Sequence, residues 1–246
     1  MKMTKKQPLK GYSLKLFIIL GLLLQSCSGQ KEAAPPVPAE NQELALQYFL
    51  AGSMHDQKGD YAKAVLEYQD ALKYKQDPAI YHAISKDYSI LGKHDLAIQS
   101  AKEAVRLEER NVKYRQALAE IYLHASNLDG AVGQYEQIVR LDSTDRTIQM
   151  NLARLYQIHS PSKAVAMYET ILKRFGPEGD ALAQLAQLCT NAGEHTKAIR
   201  VLSDLSDLEP TNLEVRKALG DVYLRQDSVD AALGIFNLGP AIGAAA

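Results

Sequence analysis

Residues 59–78 read GDYAKAVLEYQDALKYKQDP, a phrase that the chain repeats in six variants. Gly59-Asp60 is a turn signal, and Ala64, Tyr68 and Ala71 then recur at helical spacing, so they share one face of a helix. The alanine that begins each stripe returns as Ala64, Ala97, Ala131, Ala164, Ala198 and Ala232, in steps of 33 or 34 residues. Self-similarity at that period is the mark of stacked helical hairpins, each of which can bury its apolar face only against its neighbours. The chain is therefore expected to be all-α, a solenoid of about six helix-turn-helix repeats rather than an ordinary globular core.

Outward from that phrase the units fall at about 45–78, 78–111, 112–145, 146–178, 179–212 and 213–246. Each shows two helical apolar patterns around a short polar turn. The first helix of unit one carries Leu46, Tyr48, Phe49, Ala51 and Gly52; unit two repeats it with Tyr81, Ile84, Ser85 and Tyr88, and unit three with Leu118, Ala119 and Tyr122. Unit four has Leu152, Ala153 and Tyr156, but its turn is one residue shorter and gains Ser160-Pro161, which reads as a helix cap followed by proline at the first helical position. Units five and six continue with Leu185, Ala186 and Cys189 and with Leu219, Gly220 and Tyr223. In the last helix Gly234, Gly239 and Pro240 are expected to interrupt the pattern.

These residues resemble the tetratricopeptide repeat, whose consensus sets a large residue, Leu, a small residue, Tyr, Ala, an aromatic, Ala and Pro at fixed places. In unit one they are Tyr48, Ala51, Gly52, His55, Ala64, Tyr68, Ala71 and, two places late, Pro78. The chain departs from the pattern in having no tryptophan and in placing Cys189 where unit five should have tyrosine. The resemblance implies a right-handed superhelix with a concave groove lined by the first helix of each unit. Carried onto this sequence, the groove places include Leu46, Phe49 and Ser53, then His82, Lys86 and Ser89, then Lys113, Gln116, Glu120 and His124. They continue with Met150, Arg154 and Gln157, and end with Ala183, Gln187 and Asn191. The candidate peptide-binding residues are His82, Lys86, Lys113, Gln116, Glu120, Met150, Arg154, Gln187 and Asn191. Lys86, Lys113 and Arg154 form a modest basic cluster suited to an acidic or carboxyl-terminal peptide through charge-assisted hydrogen bonds; the plainer reading of each is a solvated helical face.

The amino terminus carries a different signal. Lys2, Lys5, Lys6, Lys10 and Lys15 precede Cys27 with no acid among them, and Leu16 to Leu24 is apolar except for Gly21. That run is short of the roughly 20 apolar residues that span a bilayer, so it reads as a secretory signal. Leu24-Gln25-Ser26-Cys27 resembles the bacterial lipobox, which implies a signal peptide over 1–26 and lipid on Cys27. Residues 27–43, which combine Pro, Ala, Ser, Gly and charge with no apolar period, are expected to be a disordered tether in front of a repeat domain over 44–246. Ser28 in place of aspartate, by resemblance to lipoprotein sorting, implies the outer membrane, at its periplasmic face or at the cell surface.

Composition excludes several function classes. Without the basic leader the body holds 23 basic and 29 acidic residues, which gives no electrostatic case for nucleic acid. With Cys27 assigned to lipid, Cys189 stands alone in an apolar stripe and reads as a small buried hydrophobe rather than a nucleophile. No phosphate-cradling glycine loop, no GxSxG elbow and no HExxH pair is present, so neither a cofactor, a metal nor an enzymatic activity is expected. The expected function is a membrane-anchored scaffold of the bacterial cell envelope that binds protein or peptide partners in the groove and assists assembly of an envelope complex. A pilotin-like role in secretin or pilus assembly is the alternative within that class. A regulatory module of a larger enzyme, or a self-associating structural oligomer, is the alternative outside it.

Overall fold

A computed structural model describes residues 37–237, and within them the chain forms twelve helices and no strand. In order these are α1 (Ala39–Gln57), α2 (Tyr61–Tyr74), α3 (Pro78–Ile90), α4 (His94–Leu107), α5 (Val112–His124) and α6 (Leu128–Leu141). They continue with α7 (Arg146–His159), α8 (Pro161–Phe175), α9 (Gly179–Asn191), α10 (His195–Leu208), α11 (Leu213–Arg225) and α12 (Val229–Asn237). Odd-numbered helices are the first of each unit and even-numbered helices the second. Each helix packs on the one before it and the one after it, so the six hairpins stack in sequence order, as the repeat period requires. The expected signal peptide, Cys27, the tether as far as residue 36, and Gly239 and Pro240 lie outside the described residues.

Two sequence expectations are corrected at the ends of the array. Residues 39–43, read as tether, are the first turn and more of α1: Pro38 stands just before the helix and Glu40 lies in its first turn, where an acid complements the amide dipoles. Gly234 does not interrupt the last helix but sits inside α12.

The local reasons for the hairpins are specific. The turn between the two helices of a unit needs one residue in the left-handed region, supplied by Gly59, Gly92, Ser126, Gly193 and Asp227 at φ of 79°, 69°, 57°, 73° and 57°. Unit four dispenses with it: its shorter turn is the single extended Ser160, φ −157°, which ends α7 and begins α8 at once. The hydroxyl of Ser160 makes no cap hydrogen bond, contrary to expectation; its backbone carbonyl instead accepts from the N–H of Lys163 at 2.9 Å and of Ala164 at 3.1 Å. Side-chain caps stand at the starts of four first helices and of one second helix, α6, where Asn127 Oδ1 accepts from Gly130 N. Asp77 Oδ1 accepts from Ala79 N at 2.9 Å with Pro78 behind it, and Asn111, Asp145 and Asn212 accept in the same way at α5, α7 and α11. Each such cap is worth about 1 kcal/mol.

The six alanines that define the period are all buried, none more than 1% exposed. They mark where the two helices of a hairpin come closest, and the large side chains fill the space beside them. Tyr68 with Val65, Ile80 and Ile84 forms the first core cluster, Leu118, Ile121 and Tyr122 a second, and a third runs from Ala119 through Tyr168 and Leu185 to Val222. Burying one such side chain contributes about 1.5–3 kcal/mol. Cys189 is fully buried in the third cluster, and that burial raises the pKa of its thiol, so it is held as an uncharged hydrophobe.

Candidate binding groove

Successive first helices meet along one face. The His82 ring of α3 lies 5.4 Å from that of Tyr114 on α5, and Ser89 Oγ of α3 hydrogen-bonds His124 Nδ1 of α5 at 3.1 Å. Between α7 and α9, Arg154 pairs with Asp180 at 2.5 Å and Gln157 donates to Gln184 Oε1 at 2.8 Å. Between α1 and α3, Lys86 lies 3.7 Å from Asp56. All of these residues are on first helices, so they place polar side chains from neighbouring hairpins side by side.

The structure brings His82, Lys86, Lys113 and Glu120 into one neighbourhood on α3 and α5. Burial first, and then the Lys113 and Lys86 charges, lower the His82 pKa against the opposing Glu120, which holds its ring neutral near pH 7. Gln116 is partly buried on α5, and Lys113 and Glu120 are exposed. Gln187 and Asn191 on α9 are joined by a 2.9 Å hydrogen bond and open onto a cleft of about 370 Å³ between α9 and α11, where Asp221 and Arg225 form the opposite wall. A second cleft, of about 470 Å³, lies beside α1 and is lined by Leu46 and Phe49 together with Lys75, Asp77 and Ile80.

Two groove expectations fail. Met150 is only 6% exposed and belongs to the large core cluster; a flexible apolar side chain on a solvent-facing wall gains more by folding into the adjacent core than by standing in water. The basic cluster is also broken up. Lys86 and Arg154 each face an acid from a neighbouring first helix, and among the described residues only Lys113 of the three has no carboxylate within ion-pair distance. A bidentate acidic peptide would have to displace Asp56 and Asp180 to use them.

The acids that matter were missed by sequence reasoning. Asp56, Asp180 and Asp221 stand at groove places, but their effect depends on which lysine or arginine the stacking puts opposite. Asp87 carried a readable signal. It precedes the tyrosine of its first helix, where the other units place Met54, Ile121, Leu155, Leu188 and Val222. Asp87 is 1% exposed, and neither of its carboxyl oxygens has a hydrogen-bond partner. Burial, then the Asp56 charge, push its pKa from 3.8 up to about 7, with Lys86 pulling the other way. The neighbouring Tyr68 phenol is pushed up to about 12 by burial and by the same two acids. Among the described residues no group of three or more His, Cys, Asp or Glu side chains is placed to hold a metal ion, and no helix is long and apolar enough to cross a membrane.

Comparison with known proteins agrees with this geometry. Tetratricopeptide repeat family models match residues 48–78, 83–146 and 192–245. DnaJ homolog subfamily C member 3 of Gallus gallus is 22% identical over 196 residues, covering 79% of this chain and 34% of that protein. The chain thus spans about a third of the length of that curated relative. Among solved structures, a tetratricopeptide repeat protein from Parabacteroides merdae has a TM-score of 0.56 at 16% identity, covering 78% of this chain and 77% of that one. YrrB, described as a TPR protein with an unusual peptide-binding site, has a TM-score of 0.55 at 16% identity, covering 72% and 92%. At these identities the structural likeness speaks to the fold. The period, the buried alanines, the hairpin stack and the three family matches lead to one conclusion: the chain belongs to the tetratricopeptide repeat family.

Proposed function

We propose that the protein is a lipid-anchored scaffold of the bacterial cell envelope that holds a peptide or protein partner along the face of its first helices. The repeats make the chain a protein–protein interaction scaffold, and proteins of this family are generally non-catalytic. The observation that carries the groove reading is the continuity of that face: polar side chains on α3 and α5, and again on α7, α9 and α11, stand together while other faces of the same helices pack with the second helices in the core. A preformed concave surface binds with little loss of backbone freedom, which is where such scaffolds gain affinity. The envelope and the anchor rest on sequence alone, on the basic leader, the short apolar run and Cys27.

Affinity capture of the full chain from bacterial envelope extracts tests the groove. Lys113 and Arg154 replaced together by glutamate should lose the captured partners, because Arg154→Glu sets like charge against Asp180 and Lys113→Glu reverses the one cation of the basic cluster that, among the described residues, faces no acid; unchanged recovery would move binding off this face. A Cys27→Ser change should release the protein from membranes, and retention in the membrane fraction would end the lipid-anchor reading.

A further inference from the structure

We propose that Asp56 and Asp87, between the first two repeats, form an anchor for a cationic side chain, a lysine ammonium or an arginine guanidinium, carried by the protein partner in the groove. The proposal rests on the reading of the first-helix face as the binding surface and names the chemistry recognised at one end of it. Four observations lead there. Asp87 occupies a place that units three to six fill with Ile121, Leu155, Leu188 and Val222, so the fold itself asks for an apolar residue. Its carboxyl group is buried, with neither oxygen hydrogen-bonded, which is the condition of an acceptor that lacks its donor. Asp56, from the groove side of α1, is close enough that its charge raises the Asp87 pKa, and it keeps a quarter of its side chain in solvent. The cation now beside Asp56 is Lys86, held at 3.7 Å and largely exposed. That distance is beyond a hydrogen bond, so Lys86 is a weakly held occupant that an incoming cation can displace.

Charge complementarity fixes the sign of the ligand. Two carboxylates face one loosely placed lysine, on a body with more acids than bases. The titratable groups facing Asp87 are Asp56 from α1, Tyr68 from α2 and Lys86 on α3 itself. In the free protein the pair is relieved by a proton on Asp87. A cation that enters takes over that role, and the proton leaves to solvent. Binding is therefore linked to deprotonation and strengthens as pH rises.

The test uses the full chain and two fluorescein-labelled decapeptides of Ser, Ala and Gly that differ only in carrying three lysines or three glutamates, with binding read by anisotropy. The wild type should prefer the lysine peptide at least tenfold at pH 8, less at pH 6. Asp56→Asn and Asp87→Leu should each lose about tenfold and flatten the pH dependence, Lys86→Ala should tighten binding, and Asp204→Asn on α10, with the same change of charge, should leave it as it was. Asp87→Leu installs a residue that other repeats already carry there, and Asp56 is partly exposed, so at least one variant keeps its fold, which circular dichroism checks. Equal lysine-peptide binding by Asp56→Asn, Asp87→Leu and Asp204→Asn, or no preference in the wild type, overturns the anchor. If the anchor variants still capture the wild-type partners, only the anchor falls; if the wild type captures nothing and binds neither peptide, the groove reading falls with it.

Discussion

The junction of units one and two and the junction of units four and five are built on the same plan and finished differently. In both, a tyrosine of the second helix is buried, Tyr68 at 2% exposure and Tyr168 at 0%. At the later junction the residue after Tyr156 is Gln157, which donates to the Tyr168 phenol oxygen at 3.0 Å and to Gln184 at 2.8 Å, and the next first helix brings Leu188. At the earlier junction Asp56 stands where Gln157 does and Asp87 where Leu188 does. One site is neutral with its hydrogen bonds made; the other holds two acids and an acceptor with no donor. Since both junctions fold, the acids are not needed for packing. They cost stability, and a cost confined to one groove-facing junction points to use there.

The largest effect should come from removing that difference. Asp87→Leu should stabilise the protein by on the order of 3 kcal/mol at pH 8, measured by urea unfolding. The sign follows from the raised pKa: the folded state holds the Asp87 proton up to about pH 7 and the unfolded chain loses it near 3.8, so wild-type stability falls as pH rises across that window. The advantage of Asp87→Leu should therefore shrink towards pH 4; a gain of equal size at pH 4 and pH 8 would place its source in packing instead.

A smaller effect separates the two junctions at their closest approach. Ala153 fits at unit four, fully buried, but in unit one the same place is Gly52, where an added Cβ would lie 2.6 Å from the Tyr68 ring. Gly52→Ala should lower stability by a net of about 1 kcal/mol, overpacking of roughly 1–3 kcal/mol outweighing about 1 kcal/mol of helix propensity. A raised melting temperature would mean that Tyr68 can shift at no cost. The smallest effect is expected from the satisfied junction: Gln157→Leu should cost about 1 kcal/mol or less by leaving the Tyr168 phenol without its donor. A loss several times larger would show that the glutamine pair orders the α7–α9 contact as well.

Much of this array was legible in the sequence. Alanine and tyrosine spacing located every hairpin, because the closest approaches recur once per unit and only small residues fit them. The shortened turn at Ser160 was legible too, but its cap was not: the Ser160 hydroxyl makes no cap hydrogen bond, and only its carbonyl accepts from Lys163 and Ala164. Met150 was placed in the groove because position alone does not say whether a flexible side chain follows the wall into the core. Asp87 could have been found by comparing the six copies with one another instead of with the family pattern.

The sequence by itself determined the all-α repeat, its register and the residues that pack it, since a hairpin that buries its face only on its neighbours repeats its demands every 33 or 34 residues. Only the tertiary structure decided the charge state of the groove. Pairs such as Lys86 with Asp56 and Arg154 with Asp180 join different hairpins, and their distances depend on how one hairpin is set against the next, which no spacing along the chain records.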